Sequence, residues 1–216
     1  MSMRFLGLLI GTLLISGPAG ATLDLVTNSP LVMSPGQVGG GSIVASVTNS
    51  DAVPPATDNL AGWQTSLILI PDAGATGTIG FLGAALPASY LLDGINFGLS
   101  TTISTTTTTN DSLFAFDVNF PFTGGVPVPV APGAGLLEME FSASGDASGS
   151  FGLFALGGLG TTEWADNAAA GPSAREFANV ASTGATRIGE IRIPEPASVL
   201  LLGCGLVALA GGRSRR

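Results

Sequence analysis

An all-β fold, an antiparallel β-sandwich, is what this sequence predicts, and three observations carry the prediction. Nine short runs rich in Val, Ile, Phe and Thr lie between residues 23 and 193. Each is bounded by Gly, Pro, Asn or Asp, the residues that end strands and make turns. Two of the runs alternate with the period of a strand that has one buried face. No stretch of this region sustains the 3.6-residue apolar spacing of a helix.

In order, the runs are residues 23–27, 42–48, 63–70, 78–82, 96–104, 113–120, 136–143, 149–156 and 186–193. The third is led by Trp63. The fifth ends in the low-complexity segment 100–109, Ser-Thr-Thr-Ile-Ser followed by five threonines. That segment reads either as a solvent-facing strand and loop or as clustered hydroxyls for O-linked sugar. The sixth run places Phe114, Phe116, Val118 and Phe120 on one face and Ala115, Asp117 and Asn119 on the other. The seventh sets Leu137, Met139 and Phe141 against Glu138 and Glu140. Five residues, 144–148, separate it from the eighth and read as a hairpin loop. The one short helical candidate is residues 174–181. Long connections at 30–41, 51–62 and 121–135 fit a sandwich, with a jelly roll as its variant, better than an up-and-down barrel. No internal repeat signals a propeller or β-helix.

Composition then removes whole classes of function. Three arginines (Arg175, Arg187 and Arg192) face fifteen acidic residues between positions 22 and 196, a net charge of −12 against −8 for the whole chain. There is no lysine at all. Such a surface repels nucleic acid and anionic lipid. The absence of histidine removes the commonest general base, the commonest zinc ligand and any Ser-His-Asp or Cys-His relay. The single cysteine, Cys204, lies outside the region of strands, which therefore contains no disulfide.

Three acidic pairs invite a reading as catalytic carboxylates: Glu138 with Glu140, Asp51 with Asp58, and Glu163 with Asp166. Alternate residues of one strand lie roughly 6.5–7 Å apart, within reach of glycoside hydrolysis. A solvated polar face gives the same pattern. Asp72, Asp93, Asp111, Asp146 and Asp166-Asn167 sit in loops that could supply oxygen ligands to calcium, but no contiguous D-x-D-x-D-G loop exists. No catalytic residue, metal ligand or cofactor is assigned. Trp63 and Trp164 read as core or sheet-edge anchors, with a sugar-stacking platform as the alternative.

The two ends read as addresses. Residues 1–4 carry one positive charge, 5–15 are apolar, and Ala19-Gly20-Ala21 has the small-residue pattern of a signal-peptidase site, predicting a mature N-terminus at Thr22. At the other end, Pro194-Glu195-Pro196 is followed by the uncharged segment 197–212 and then by Arg213, Arg215 and Arg216. Proline fixes φ and stops a continuing helix or central strand. Sixteen residues of helix reach about 24 Å, so spanning a bilayer calls for local thinning and snorkelling of the arginine stems. The arginines mark the cytoplasmic end.

This motif, apolar segment and basic tail resemble a PEP-CTERM sorting signal. The resemblance covers about a tenth of the chain. It implies recognition by an exosortase, export across the inner membrane, transient anchoring through 197–212, and a cell-envelope, surface or matrix destination often associated with exopolysaccharide. The implied organisation is a signal peptide (1–21), an exported domain (22–193) and a sorting signal (194–216). The expected role is structural and non-enzymatic. A polysaccharide- or protein-binding module is the alternative, and a glycosidase-like enzyme the third. An early strand pair, the Trp63-led strand and the Leu-Leu-Glu-Met-Glu-Phe strand also resemble cohesin-like and carbohydrate-binding sandwich modules, as an analogy of fold alone.

Overall fold

The computed structural model describes residues 22–50, 59–106, 109–119, 125–130, 133–168 and 171–195. The described residues are all β, with no α-helix among them. The strands are β1 (Leu23–Thr27), β2 (Leu31–Val32), β3 (Val38–Asn49), β4 (Asn59–Pro71), β5 (Ile79–Ala85), β6 (Ser100–Ser104), β7 (Ser112–Val118), β8 (Val126–Pro127), β9 (Ala134–Ala143), β10 (Gly149–Leu156), β11 (Glu163–Ala168), β12 (Gly171–Arg175) and β13 (Ala185–Ile193).

They form two sheets. The smaller runs β1-β3-β9-β5 and is antiparallel throughout. The larger has nine strands and forks on β4. One edge of β4 pairs with β7 and β8; the other pairs with β11 near Trp63 and with β10 near Leu69. β6 extends the β7 side, β12 extends β11, and β13 follows β10. A two-residue parallel pairing of β2 with β13 ends that arm.

Alternation turns one side of every long strand into the shared core. Leu25, Ile43, Val47, Phe81, Leu137, Met139 and Phe141 come from the small sheet. Leu60, Trp63, Leu67, Leu113, Phe151, Leu153, Trp164 and Ile191 come from the large one. The rings of Phe81 and Phe141 lie 5.4 Å apart. A buried leucine or phenylalanine contributes about 1.5–3 kcal/mol, so one continuous core is enough to hold a disulfide-free domain.

Two sequence expectations need correction, and for β7 the structure decides which of the two expected faces is inward. Residues 144–148 do not close a hairpin, because β9 belongs to the small sheet and β10 to the large one. The segment is a corner between the layers, held by Thr76–Ser148 pairing and by Ala147, which is buried. Residues 174–181 are not helical: 171–175 is an edge strand, and a loop follows it. In β7, the buried set is Leu113, Ala115 and Asp117, while Phe114 and Phe116 are half-buried on the outer face. Register explains this. Asp117, Ala115 and Leu113 lie opposite Trp63, Thr65 and Leu67 of β4, and cross-strand partners share a face. The two phenylalanines instead stack on the outside, their centroids 5.8 Å apart.

Candidate functional site

The last strand delivers Pro194 and Glu195 to the surface. β13 is hydrogen-bonded between β10 and β2, and Ile193, opposite Gly149, is buried. Pro194 and Glu195 are exposed immediately beyond it. Pro196, Arg213, Arg215, Arg216, Cys204 and the segment 197–212 lie outside the described residues, as do Ala19 and Ala21. Thr22 is tied into the fold: its carbonyl accepts hydrogen bonds from the Ser50 amide (3.0 Å) and hydroxyl (2.8 Å).

Glu138 and Glu140 stand together on the outer face of the small sheet. β3 supplies Val44 and Ser42 opposite them, and β5 supplies Ala85 and Gly83. These small neighbours leave an open hollow lined by Gly83, Ala84, Ala85 and the two glutamates. Glu138 accepts a 2.6 Å hydrogen bond from the Ser42 hydroxyl. Asp24 of β1 adds a third carboxylate to this face, and none of its four strands contains a cation. An open, anionic sheet face can attract cationic groups and accept hydrogen bonds. It lacks the enclosure that would hold a sugar ring between two carboxyl groups.

The other acidic residues are dispersed. Glu163 and Asp166 are three apart in β11 and so face opposite ways. Glu163 accepts from the Gly160 amide, whereas Asp166, nearly buried, pairs with Arg175 at 2.5 Å. Asp51 and Asp58 lie outside the described residues. The calcium candidates do not converge. Asp72 is bound through both oxygens by Arg187 (3.0 and 2.9 Å), Asp111 accepts from the Thr106 amide and hydroxyl, and Asp146 accepts from the Ser144 hydroxyl. Asp93 sits in a turn closed onto the Tyr90 carbonyl. No group of three or more His, Cys, Asp or Glu suited to a metal exists among the described residues.

Trp63 and Trp164 are core residues, facing each other across β4 and β11. The Trp164 indole donates to the Glu176 carbonyl, and the Arg175 guanidinium lies 5.6 Å above its ring. Around Trp63, the structure assembles a polar cluster that sequence reading missed. The Tyr90 hydroxyl donates to Asp117 Oδ2 at 2.5 Å and accepts from the Trp63 indole at 3.2 Å. Asp117 Oδ1 takes the amides of Gly98 (3.0 Å) and Val118 (2.8 Å). Burial, and then the bond to Asp117, push the Tyr90 hydroxyl well above the ordinary tyrosine range. This cluster pins the loop 86–99 over one end of the sandwich. The available signal was a carboxylate inside an aromatic-rich strand, in a chain with one tyrosine.

The outer face of the large sheet carries an ion-pair strip instead. Arg192 donates to Glu190 (2.7 and 3.1 Å), Ser150 donates to it at 2.7 Å, and Arg187 joins Glu190 to Asp72. Arg192, with Ser150, holds the Glu190 carboxyl down to about 2, and Arg187 holds Asp72 below its usual value.

No family model and no curated protein matches this chain. Among solved structures, it is similar to the seventh type I cohesin of ScaB from Pseudobacteroides cellulosolvens, at 13% identity and TM-score 0.49, covering 80% of this chain and 92% of that one. A cohesin solved in a cohesin–dockerin complex from Clostridium thermocellum is 14% identical, with TM-score 0.49 and coverage of 80% and 94%. A cohesin module of a family 33 glycoside hydrolase from Clostridium perfringens is 10% identical, with TM-score 0.41 and coverage of 81% and 97%.

Proposed function

We propose that this chain is an exported, non-catalytic β-sandwich protein of the cell envelope or extracellular matrix, delivered through a PEP-CTERM signal that an exosortase recognises. The observation that carries this reading is the position of the motif. The final strand ends at Ile193, and Pro194 and Glu195 are exposed at the next two residues. Proline lacks the amide that would continue the ladder, so the peptide leaves the domain there in a form a membrane peptidase can engage. The first strand begins one residue after the proposed signal-peptidase site, which supports the same division of the chain. The lack of histidine and the open or separated carboxylates support a non-catalytic role.

Replacing Pro194-Glu195-Pro196 by three alanines tests it. Intact mass should then report an anchored protein that retains 197–216, while N-terminal sequencing still begins at Thr22. A variant processed and localised like the parent would show that the C-terminal segment is only an anchor.

A second reading rests on the small sheet. Asp24, Glu138 and Glu140 share a face without any cation, over Ser, Val, Gly and Ala side chains, and this suits a partner presenting basic groups. Glu138→Arg with Glu140→Arg should abolish capture of such a partner from the host's envelope fraction. Undiminished capture would remove this reading.

A further inference from the structure

We infer that β6 is a self-association edge, pairing antiparallel with β6 of a second copy of this chain to join two large sheets. Exposed strand edges invite pairing unless they are blunted, and the other edges here are blunted. The Asn179 side chain caps β1, accepting from the Leu25 amide (2.9 Å) and donating to its carbonyl (2.8 Å). The Asn110 carbonyl takes the Phe81 amide of β5. β2 and β8 are two residues long, and Pro127 and Pro172 interrupt β8 and β12.

β6 has none of these devices. Among the described residues, it hydrogen-bonds only to β7 through its backbone. Ser100, Thr101, Thr102 and Ser104 are exposed on both faces of the strand, and only Ile103 turns partly inward. Threonine favours strands, and Thr–Thr pairs stabilise neighbours across a ladder.

Charge selects the partner. At a net −12, two exported domains repel each other over most of their surface. Around β6 that repulsion is lowest. No ionisable side chain occurs between Asp93 and Asp111; Asp111 and the β7 residue Asp117 are buried; and β4, next inward, has none. A second copy can approach here through a neutral, hydroxyl-lined edge. A five-residue pairing is weak in isolation, so it depends on the high local concentration of chains held on one surface. For that local concentration the inference rests on the anchored-surface reading proposed above; absence of cross-linking in membranes that still hold the full chain tells its failure from a failure of that reading.

The test uses the full chain in membranes, with Cys204→Ser and one new cysteine at a time: Ser100→Cys, Thr101→Cys or Thr102→Cys, with Ser182→Cys on an exposed loop as control. A two-fold pair sets one residue opposite itself, so mild oxidation should give a dimer maximum at a single β6 position, roughly tenfold above the control. Adding Thr102→Lys to the Ser100→Cys and Thr101→Cys variants should lower the cross-linked dimer fraction in the same membranes. Equal cross-linking at Ser182→Cys, a dimer insensitive to Thr102→Lys, cross-links to a different protein, or sugar mass on 100–106 would each overturn the inference.

Discussion

The two sheets solve the same inward problem and differ on the outside. Both send alternate apolar side chains into one core, and both carry carboxylates outward. In the large sheet, the outward charge of Asp72 and Glu190 is neutralised locally. Arg187 pairs with Asp72 and Glu190, and Arg192 with Glu190, while Arg175 pairs with the buried Asp166, which uses every arginine between residues 22 and 196. The small sheet has no cation, and Asp24, Glu138 and Glu140 remain as net charge beside small neighbours. The large sheet also holds the aromatic outer residues; the Phe154 ring folds over Gly152 so closely that a Cβ there would meet it at 2.3 Å. One sheet spends its polar groups on holding itself together, while the other presents them to solvent.

If the core is shared, the largest effects should not respect this difference. Trp164→Ala from the large sheet and Phe141→Ala from the small one should each cost about 3–5 kcal/mol, read from urea unfolding of the 22–193 fragment. That fragment should itself give a β-type far-UV spectrum and one cooperative melt. A small-sheet variant that lost far less would mean the sheets unfold separately.

Smaller effects should separate the sheets. Asp117→Ala leaves the buried Tyr90 hydroxyl without its acceptor and should cost about 2–3 kcal/mol, while Tyr90→Phe, which leaves Asp117 Oδ2 and the Trp63 indole without their partner, should cost about 1–3 kcal/mol. A double-mutant cycle reads their coupling directly. Removing an exposed carboxylate from the small sheet, as in Glu140→Gln, should change stability by no more than about 0.5 kcal/mol.

Acid should discriminate as well. Glu190 and Asp72 have folded values below their unfolded ones. Each contributes stability above its unfolded value, and loses it as pH falls through the folded one. The large sheet's strip therefore weakens from near pH 4–5 down to about 2, the value for Glu190. Arg187→Met should flatten this part of a stability-versus-pH curve by lowering stability slightly at pH 7 and leaving it unchanged at the acid end, a small effect because the pair is partly exposed. An unchanged acid limb would show that the strip contributes nothing measurable.

Much of the architecture was legible locally. Gly and Pro punctuation with β-branched runs located β1 and β10 to the residue, and most other strands to within a few. Composition alone removed histidine chemistry and disulfides. β11 and β12 were missed because Glu-Trp-Ala-Asp-Asn-Ala and Gly-Pro-Ser-Ala-Arg have poor strand propensity; they are strands because β4 offers an edge to β11, and β11 in turn offers one to β12. The site was less legible. Period two says that Phe114 and Asp117 face opposite ways but not which way is inward, and that choice belongs to the register with Trp63 and Leu67. Likewise, residues 144–148 look like a hairpin turn until the pairing partners of β9 and β10 are known. The sequence by itself determined the all-β class, the charge and the absence of histidine and disulfide chemistry, since these depend on residue identity and near-neighbour spacing. Tertiary structure alone decided which sheet each strand joins, which face of β7 is buried, and that Tyr90 meets Asp117 across 27 residues, because backbone pairing and burial are contacts between segments that local sequence does not encode.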